Sequence, residues 1–516
     1  MKRPEEWTNA ELAKQCIMPR LDTDKFFSDK EYEKQINQLA ADGIVGFCVF
    51  GGTMDKVAKM TELLQLSASI PLLFSSDFEH GLPMRLEDGT SFPHALALGI
   101  NNKPEDTFKI AKAIATECKS IGIHWNFAPV CDVNSNPKNP IINIRSFGTE
   151  PEVVCRHSEK YIAGLQGEGI IACAKHFPGH GDTSVDSHIE LPIINKTEDE
   201  LAEPELTPFI NAINCGVKSI MAAHIALPKI DSSGLPASLS PVLITDLLRT
   251  KFAFNGLVVT DALDMKAISD NYPNGKASLM CIEAGADIAL IPPDTEESIR
   301  AISEEANINP VFRQKLIISV KRIIDAKRKA NLFTSGMVLN QEKMQYFPSH
   351  EKLALKAATG AVSINGNKEL LPIKEDSQIA CYAVLQTQDI DQASRFFNIL
   401  SQAIENDMDF GYIDSEIKSE QINEFAEMTK DADVVIFAYF YRARAYQGSI
   451  TIDEELKSKL RTLSMGKKVI SLLFGNPYLE KEIESNANIT LYSDSVASLA
   501  ASVLALSGKK IEFDAL

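Results

Sequence analysis

The sequence has 516 residues, of which 45% are hydrophobic and 24% charged, as is typical of a globular protein. This length exceeds one ordinary core and favours two domains, one of which is large. Lys and Arg number 52 and Asp and Glu 70, which gives a net charge of −18. Because nucleic acids and anionic membranes are also negatively charged, we expect neither as a partner.

The 9 cysteines are scattered and odd in number, so we do not expect a disulfide framework, and no pair has the C-x-x-C spacing of a cysteine zinc site. The N-terminal stretch MKRPEEWTNAELAKQ has basic residues but lacks the apolar core of a signal peptide. No run approaches the roughly 18 apolar residues of a membrane span. We therefore expect a cytoplasmic protein, provided that no signal segment has been removed ahead of this chain.

Short apolar runs alternate with helix-period segments through residues 15–330, and most of the runs are continuously hydrophobic, as in parallel strands buried on both faces. The eight strand candidates are Cys16–Leu21, Ile44–Gly51, Pro71–Ser76, Ile123–Val130, Ile170–Phe177, Ser219–Ile225, Gly256–Thr260 and Asp287–Ile291. The helical patterns between them include Asp29–Ala41, Thr107–Ile121, Val153–Glu168 and Pro241–Phe252. Successive βα units predict an N-terminal α/β domain with a TIM-type (β/α)8 barrel; an open doubly wound sheet is the alternative.

The barrel domain is predicted to cover residues 1–335, because a long basic helix pattern over Pro310–Phe333 is broken by Thr334-Ser335-Gly336. Residues 336–350 lack periodicity and are predicted to be a linker. A second alternation of helical and apolar segments fills residues 351–516 and predicts a smaller open α/β sandwich domain. Its strand candidates are Ala361–Ile364, Ile379–Leu385, Val434–Phe440, Lys468–Phe474 and Ile489–Tyr492.

Polar clusters follow several of the predicted barrel strands, at the carboxyl ends where barrel enzymes carry their catalytic groups. Asp77, Glu79 and Arg85 follow the third strand, where a carboxylate either accepts hydrogen bonds from ligand hydroxyls or caps the loop. Arg145 lies in the loop Asn139–Gly148 after the fourth strand. Its guanidinium is either solvated or serves as a fixed fork of donors for a ligand. Neither cluster is specific by itself.

The densest cluster is the stretch from Lys175 to His188, which begins at the end of the fifth strand. A lysine at the end of a buried strand is costly unless it has partners. Asp186 and His188 are two residues apart, so they point the same way in an extended segment, and the carboxylate would make the imidazole a tunable proton shuttle. The alternative is a metal site with His176, His180, Asp182 and His188 as possible ligands, but the Lys175 cation would repel a bound ion.

The sixth and seventh strands also end in polar residues. The phrase Met221-Ala222-Ala223-His224 ends one strand, and its histidine is either a buried residue satisfied within the core or part of a site. Asp261 directly follows the next strand, where an isolated carboxylate is unfavourable unless it has a partner or a function. Asp264 is the local competitor, but it lies three residues farther on and fits a cap or loop position better.

Together these clusters resemble glycoside hydrolase family 3, and specifically its β-N-acetylglucosaminidase branch. Lys175 to His188 matches the branch signature K-H-[F/I]-P-G-x-G-x-x-x-x-D-S-H without a gap. The remaining motif matches are D-x-E-x-G at Asp77 to Gly81 with Arg85 following, A-P-V-x-D-V at Ala128 to Val133, R-S-F-G at Arg145 to Gly148, M-x-A-H at Met221 to His224, and the nucleophile strand at Thr260, Asp261 and Met265. The resemblance covers residues 11–335 well, and it extends more loosely to Ala361–Pro372 and Phe474-Gly475-Asn476-Pro477-Tyr478.

The resemblance implies a retaining exo-β-N-acetylglucosaminidase that acts on cell-wall fragments or chitooligosaccharides. Asp261 would be the nucleophile, and His188, supported by Asp186, would be the acid/base. The substrate-binding residues would be Asp77, Arg85, Arg145, Lys175, His176, Met221 and His224. No cofactor or metal is implied, the partner is a small carbohydrate, and the sequence does not determine an oligomeric state.

Three positions depart from the family pattern, namely His80 before Gly81, Ile144 before Arg145 and Ala262 after Asp261. They do not coincide with the implied catalytic residues, and they leave the subsites beyond the first sugar open. The alternative functions are a phosphorylase that uses phosphate in place of water, a β-glucosidase or β-xylosidase of the wider family, and a sugar-binding protein without turnover. The phosphorylase is an alternative because a neutral histidine does not repel an anionic acceptor such as phosphate.

Overall fold

The structure, a computed structural model, describes residues 2–185, 190–273, 275–333, 347–387, 390–443 and 450–509. The chain divides into two compact units. The first comprises Met1–Thr90, Thr107–Asn139 and Thr149–Tyr346, and the second comprises Ser91–Asp106, Pro140–Gly148 and Phe347–Leu516. Two short segments of the N-terminal half therefore group with the second unit. Most of the predicted linker, up to residue 346, lies outside the described residues.

The described strands, numbered in chain order, are β1 Ile17–Met18, β2 Arg20–Asp22, β3 Gly46–Phe50, β4 Leu73–Ser76, β5 Trp125–Asn126, β6 Ile171–Phe177, β7 Ser219–Ala222, β8 Leu257–Thr260, β9 Ala289–Leu290, β10 Ser363–Gly366, β11 Ile379–Leu385, β12 Met408–Ile413, β13 Val434–Tyr441, β14 Lys468–Gly475 and β15 Ala487–Thr490. The first nine strands belong to the first unit and match the eight predicted ones. The count differs because the predicted strand Cys16–Leu21 is divided into β1 and β2.

The sheet of the first unit consists of β2 to β8 in sequential order, with parallel neighbours throughout. Strand β1, which runs directly into β2, pairs in parallel with β9. A parallel bridge joins Val259 of β8 to Ile288, the residue before β9. These links connect the two ends of the curled sheet and are consistent with the predicted barrel. Because all strands are parallel, their carboxyl ends meet at one edge.

The described α-helices are α1 Asn9–Lys14, α2 Thr23–Ser28, α3 Lys30–Ala41, α4 Met54–Ser67, α5 Ala95–Asn101, α6 Pro104–Ser120, α7 Pro151–Gly167, α8 Glu198–Leu201, α9 Thr207–Asn214, α10 Lys266–Ser269, α11 Lys276–Ala284, α12 Thr295–Ile308, α13 Pro310–Lys329, α14 Pro348–Ala361, α15 Asp391–Ala403, α16 Ser419–Met428, α17 Glu454–Ser464 and α18 Val496–Ser507. The segments Ala202–Leu206 and Val242–Lys251 are helical with wider turns. None of the helices in the described ranges combines the length and apolar character needed to cross a lipid bilayer.

Local sequence accounts for the helix starts. Asp29 accepts hydrogen bonds from the backbone N–H groups of Glu31 and Tyr32 at the start of α3. Asn309 caps α13 in the same way, and Pro310 follows it at the first helical position, where its missing N–H costs nothing. Side-chain oxygens that satisfy the first N–H groups of a helix fix the residue at which it begins.

The second unit has a six-stranded open sheet in the order β10-β15-β14-β13-β11-β12. The pairing of β10 with β15 is antiparallel and the other pairings are parallel. Helices α14, α15 and α18 pack together, as do α16 and α17. This arrangement agrees with the open α/β domain predicted from the sequence.

One strand of the second unit, β12, was not predicted from the sequence. It is an edge strand with mixed burial, so its sequence MDFGYI lacks the continuous hydrophobic run of its neighbours. Gly411 in its centre weakens the pattern further. A Cβ at this position would lie 2.9 Å from ring atoms of both Tyr382 and Phe425, which requires glycine there. Because the two aromatic rings leave room only for glycine, the sequence has no apolar side chain at this position, and the hydrophobic pattern of a strand is interrupted.

A fully buried lysine lies in the first unit, outside the polar clusters named above. Lys327 of α13 donates to Gln15 Oε1 at 2.9 Å, and Gln15 in turn donates to the Gly43 carbonyl. Burial lowers the pKa of Lys327 to about 7, and burial together with the Lys327 charge lowers the pKa of His124 to about 4. The ammonium form is therefore unfavourable in the folded state.

Replacing this lysine should make the protein more stable near neutral pH. Because the pKa of Lys327 is lower when folded than its unfolded value of about 10.4, the unfolded state binds more protons between about pH 7 and pH 10. Stability should accordingly rise with pH across this window. We expect Lys327→Met to raise the free energy of unfolding by about 2 kcal/mol at pH 6, with the gain shrinking towards pH 10. Urea unfolding at several pH values measures this; a gain independent of pH would contradict it.

Candidate active site

An ion-pair cluster with the buried Lys175 at its centre lies at the carboxyl ends of β4 and β6. Lys175 of β6 donates to Asp77 Oδ1 at 2.7 Å and lies 2.8 Å from Glu79 Oε1, while Arg85 donates to Asp77 Oδ2 at 2.9 Å. The side chain of Lys175 is only 2% exposed. We call Asp77, Glu79, Arg85 and Lys175 the Lys175 cluster; its two carboxylates balance its two cations.

The charges of this cluster fix the ionisation of Asp77. Burial by itself would raise the pKa of this carboxyl, but the attraction of Lys175 and Arg85 outweighs it and lowers the pKa well below the usual range. Asp77 is therefore ionised at neutral pH. A carboxylate, a guanidinium and an ammonium held in fixed positions can bind several hydroxyl groups of one ligand, each with a charge-assisted hydrogen bond.

A second buried carboxylate, Asp132, orients two histidines. Its Oδ2 lies 2.6 Å from His176 Nδ1, and its two oxygens accept from the backbone N–H of His176 at 3.2 Å. Oδ1 also accepts from the backbone N–H of His180 at 2.7 Å. Because a carboxylate only accepts, Nδ1 of His176 carries the proton, so Asp132 fixes both the tautomer and the ring orientation.

His180 is neutral at physiological pH. Burial and the nearby His176 lower its pKa to about 4, although the negative charges of Asp132 and Asp261 oppose this shift. The ring nitrogen Nδ1 lies 2.8 Å from Thr183 Oγ1, and the rings of His176 and His180 meet edge to face at 6.0 Å. The negative charge of Asp261 therefore acts on His180.

The glycines of the Pro178-Gly179-His180-Gly181 turn are required by close packing. A Cβ on Gly181 would lie 1.6 Å from the Val133 carbonyl oxygen, and a Cβ on Gly179 would lie 2.8 Å from Glu205 Cβ. The signature glycines thus let the chain turn directly after β6.

The chain beyond this turn is tied to its surroundings through charged side chains. Lys196 lies 2.8 Å from Asp182 Oδ2 and 2.7 Å from Glu205 Oε1. Asp186 and His188 fall within residues 186–189, which lie outside the described residues. After that gap, the Ile194 N–H donates to the Ala226 carbonyl, so the segment returns alongside the chain that follows β7.

Asp261 directly follows β8, at the same edge of the sheet. Its backbone N–H donates to the Ala222 carbonyl of β7 at 2.9 Å, and its Oδ1 accepts from the N–H of Ala262 at 2.8 Å. The backbone N–H of Ala262 thus helps to orient the half-buried side chain of Asp261, while Asp264 is exposed.

Met221 and His224, the first and last residues of the M-x-A-H motif, are both buried. Met221 lies within β7 and is 2% exposed. His224 is fully buried, and its ring nitrogens lie 2.7 Å from Ser238 Oγ and 2.9 Å from the Ala262 carbonyl oxygen. Both nitrogens of His224 therefore have partners inside the protein.

Arg145 belongs to the second unit. It ends the short helix Asn143–Arg145 and donates to the Ile141 carbonyl oxygen at 3.1 Å. Asn143, which has a φ of +38°, donates from Nδ2 to Asn476 Oδ1 at 3.2 Å, so this loop is anchored on the second unit.

Within the part of the chain that the structure describes, no three His, Cys, Asp or Glu side chains are grouped so that they could hold a metal ion. The metal alternative for the Lys175–His188 stretch also involved His188, which is not among these residues.

Sequence reasoning overlooked two carboxylates of this site. Glu79 was named among the polar residues after the third strand but was not among the implied substrate-binding residues, yet it is the second carboxylate that contacts Lys175. Asp132 lay in the A-P-V-x-D-V phrase without an assigned role, although it contacts both histidines. The signal for each was an acidic residue a few positions after a predicted strand, similar to the signal that singled out Asp77 and Asp261.

Comparison with known proteins identifies the family. Residues 14–326 match the profile described as the Glycosyl hydrolase family 3 N terminal domain. The chain belongs to glycosyl hydrolase family 3. This confirms the resemblance drawn from the motifs, and two curated relatives are named as beta-hexosaminidases. Beta-hexosaminidase A from Pseudoalteromonas piscicida is 32% identical over 379 residues, and the beta-hexosaminidase of Nitrosomonas eutropha is 32% identical over 271 residues.

The coverage of these relatives differs. The match includes 68% of this chain but only 63% of the Pseudoalteromonas protein, so the chain spans less than two thirds of that relative. For the Nitrosomonas protein the shares are 51% of this chain and 77% of the relative.

Solved structures match over nearly the whole chain. A glycoside hydrolase family 3 beta-N-acetylglucosaminidase from Paenibacillus sp. str. FPU-7 superposes with a TM-score of 0.87 at 25% identity, covering 97% of both chains. A beta-glucoside phosphorylase superposes with a TM-score of 0.86 at 22% identity, covering 98% of this chain and 93% of that one. The second likeness is one of fold alone.

Proposed function

We propose that this family 3 protein is a retaining exo-β-N-acetylglucosaminidase in which Asp261 is the nucleophile and His188, supported by Asp186, is the acid/base. The observation that carries the proposal is the Lys175 cluster, a set of buried and mutually neutralised charges at the sheet edge where Asp261 also lies. Buried charges are expensive to maintain, and such a set is typical of a site that binds a polar ligand.

The terminal sugar would bind against the Lys175 cluster. Lys175 and Arg85 donate to ring hydroxyls, and the ionised Asp77 accepts from a hydroxyl while both cations keep it charged. His176, whose ring is oriented by Asp132, would add one more hydrogen-bonding group in a fixed direction. Arg145 is proposed as a sugar-binding residue on the strength of its motif alone.

The reaction would proceed in two steps at the anomeric carbon. Asp261 attacks that carbon while His188 protonates the leaving oxygen, which gives a glycosyl-enzyme ester and releases the aglycone alcohol. His188 then takes a proton from water, and the oxygen of this water displaces Asp261 with net retention. The lowered pKa of His180 fits this scheme, because a neutral His180 adds no positive charge that would act on the Asp261 carboxylate.

The names of the relatives support N-acetylglucosamine as the sugar. Both curated relatives described above are named as beta-hexosaminidases, and the Paenibacillus structure is that of a beta-N-acetylglucosaminidase. We therefore propose cell-wall fragments or chitooligosaccharides as natural substrates, with water as acceptor. Phosphate remains the alternative acceptor to be tested.

Product analysis tests this proposal directly. The purified protein should hydrolyse an aryl N-acetyl-β-glucosaminide at least about 100-fold faster, by kcat/KM, than the matching aryl β-glucoside, because a missing hydrogen-bonding group leaves buried polar groups unpaired. The sugar first released should be the β-anomer by NMR, and phosphate should leave the rate unchanged. A strongly phosphate-dependent rate with a sugar 1-phosphate product would establish the phosphorylase instead, and preference for the glucoside would refute the assigned sugar.

A further inference from the structure

His224 follows β7 and is as buried as any residue of the first unit, with no exposed surface. Its motif suggested contact with the substrate, but its ring is bound on both sides to protein atoms. Nδ1 lies 2.7 Å from Ser238 Oγ and Nε2 lies 2.9 Å from the Ala262 carbonyl oxygen. Ala262 is the residue directly after the proposed nucleophile.

The chemistry of these partners fixes where the protons lie. A carbonyl oxygen only accepts, so Nε2 carries the proton that is donated to Ala262. In the neutral ring Nδ1 then has no proton and accepts from the Ser238 hydroxyl. Ser238 is itself fixed, because its backbone N–H donates to the carbonyl of Ala223, the neighbour of His224. The ring therefore has one preferred tautomer and one orientation.

Ala262 is bound at both of its backbone polar atoms. Its N–H donates to Asp261 Oδ1 at 2.8 Å, and its carbonyl accepts from His224 Nε2 at 2.9 Å and, over a longer distance of 3.2 Å, from the backbone N–H of Met265. The flanking N–H groups of Asp261 and Leu263 donate to the carbonyls of Ala222 and Leu290. The hydrogen bond from His224 thus acts on the residue that supplies a backbone donor to the Asp261 carboxylate.

We infer that His224 is a positioning residue, which orients Asp261 by holding Ala262, and that it does not bind the sugar. The inference rests on the proposed role of Asp261 as nucleophile. A carboxylate attacks along a narrow range of directions, and misplacing it by about 1 Å costs on the order of 10²-fold in rate. Loss of the Ala262 anchor should therefore slow attack on the anomeric carbon while ground-state binding of the sugar stays unchanged.

Three variants separate these roles. His224→Ala removes the donor to Ala262, whereas His224→Gln can place an amide N–H where Nε2 lies. Ser238→Ala leaves His224 in place but removes the partner of Nδ1. Each is assayed with an aryl N-acetyl-β-glucosaminide for kcat and KM, with N-acetylglucosamine for Ki, and with 5-fluoro-N-acetyl-β-glucosaminyl fluoride for the rate of covalent trapping.

We expect His224→Ala to lower kcat and the trapping rate in parallel by about 30- to 100-fold, with KM and Ki within about threefold of the native values. His224→Gln should recover to within about fivefold of native, and Ser238→Ala should fall between the two. A tenfold or larger rise in Ki with unchanged trapping would overturn the inference in favour of direct sugar binding. Equal impairment of His224→Gln and His224→Ala, together with a lowered melting temperature in both, would overturn it in favour of a general structural role.

The trapping reagent also tests the underlying assignment separately. Peptide mapping of the trapped native protein should find the sugar on Asp261. A label on another residue refutes the proposed nucleophile, whereas a label on Asp261 combined with normal trapping by His224→Ala refutes only the positioning role.

Discussion

Replacing Asp261 with alanine is expected to lower kcat on an aryl N-acetyl-β-glucosaminide by at least about 10⁴-fold, because the reaction then has no carboxylate to form the glycosyl-enzyme ester. The fold should persist, since the backbone N–H that donates to Ala222 remains and the side chain is only half-buried. Circular dichroism and the melting temperature check the fold, and steady-state kinetics check the loss.

The matched control is Asp264→Ala, which removes an exposed carboxylate three residues farther along the same loop. Its kcat should stay within about threefold of native. Added azide should restore turnover of Asp261→Ala and yield the α-glycosyl azide, because azide enters from the face that the carboxylate vacates. Near-normal activity of Asp261→Ala would move the nucleophile elsewhere.

The same azide experiment distinguishes the acid/base. In His188→Ala the glycosyl-enzyme still forms from substrates with good leaving groups, so azide should then give the β-glycosyl azide. Activity on substrates with poor leaving groups should fall further than on activated aryl glycosides. Equal losses on both substrate classes would argue against proton donation by His188.

The second large effect is expected for Lys175→Met, which should lower kcat/KM by about 10³-fold. Lys175 contacts both Asp77 and Glu79, so the substitution removes a charged donor to the sugar and leaves two neighbouring carboxylates without their shared cation. The matched control is Lys327→Met, the same change at another fully buried lysine of the first unit. That variant should retain native kcat/KM. If kcat/KM fell by a similar factor in both variants, the loss would come from removing any buried lysine, and the position of Lys175 in the site would not explain it.

The pH dependence of Lys175→Met provides a further check. In the native protein the pKa of Asp77 is lowered, so its contribution to stability is present above its unfolded pKa of about 3.9 and is lost only below it. Without Lys175 the pKa of one carboxyl should rise, and the folded variant should bind a proton more readily than the unfolded chain. The stability difference between native protein and variant should therefore shrink as pH falls from about 7 to about 4. A constant difference would contradict the charge balance described for the cluster.

Much of this protein is specified by local sequence. Continuous apolar runs predicted the positions of all strands of the first unit, since a strand buried on both faces must be hydrophobic throughout. Charged residues at or directly after the carboxyl ends of those runs predicted Asp77, Lys175 and Asp261 as site residues. Both kinds of signal are readable because each depends on neighbours only a few residues away.

Tertiary structure alone decided which of these groups meet. Lys175 contacts Asp77 across 98 positions of sequence, Asp132 orients His176 across 44, and His224 reaches Ala262 across 38. Such contacts depend on which parallel strands are neighbours and on where each side chain points. For that reason the sequence marked His224 as part of the site, but only the pairing of both its ring nitrogens within the fold assigned it to the support of Asp261.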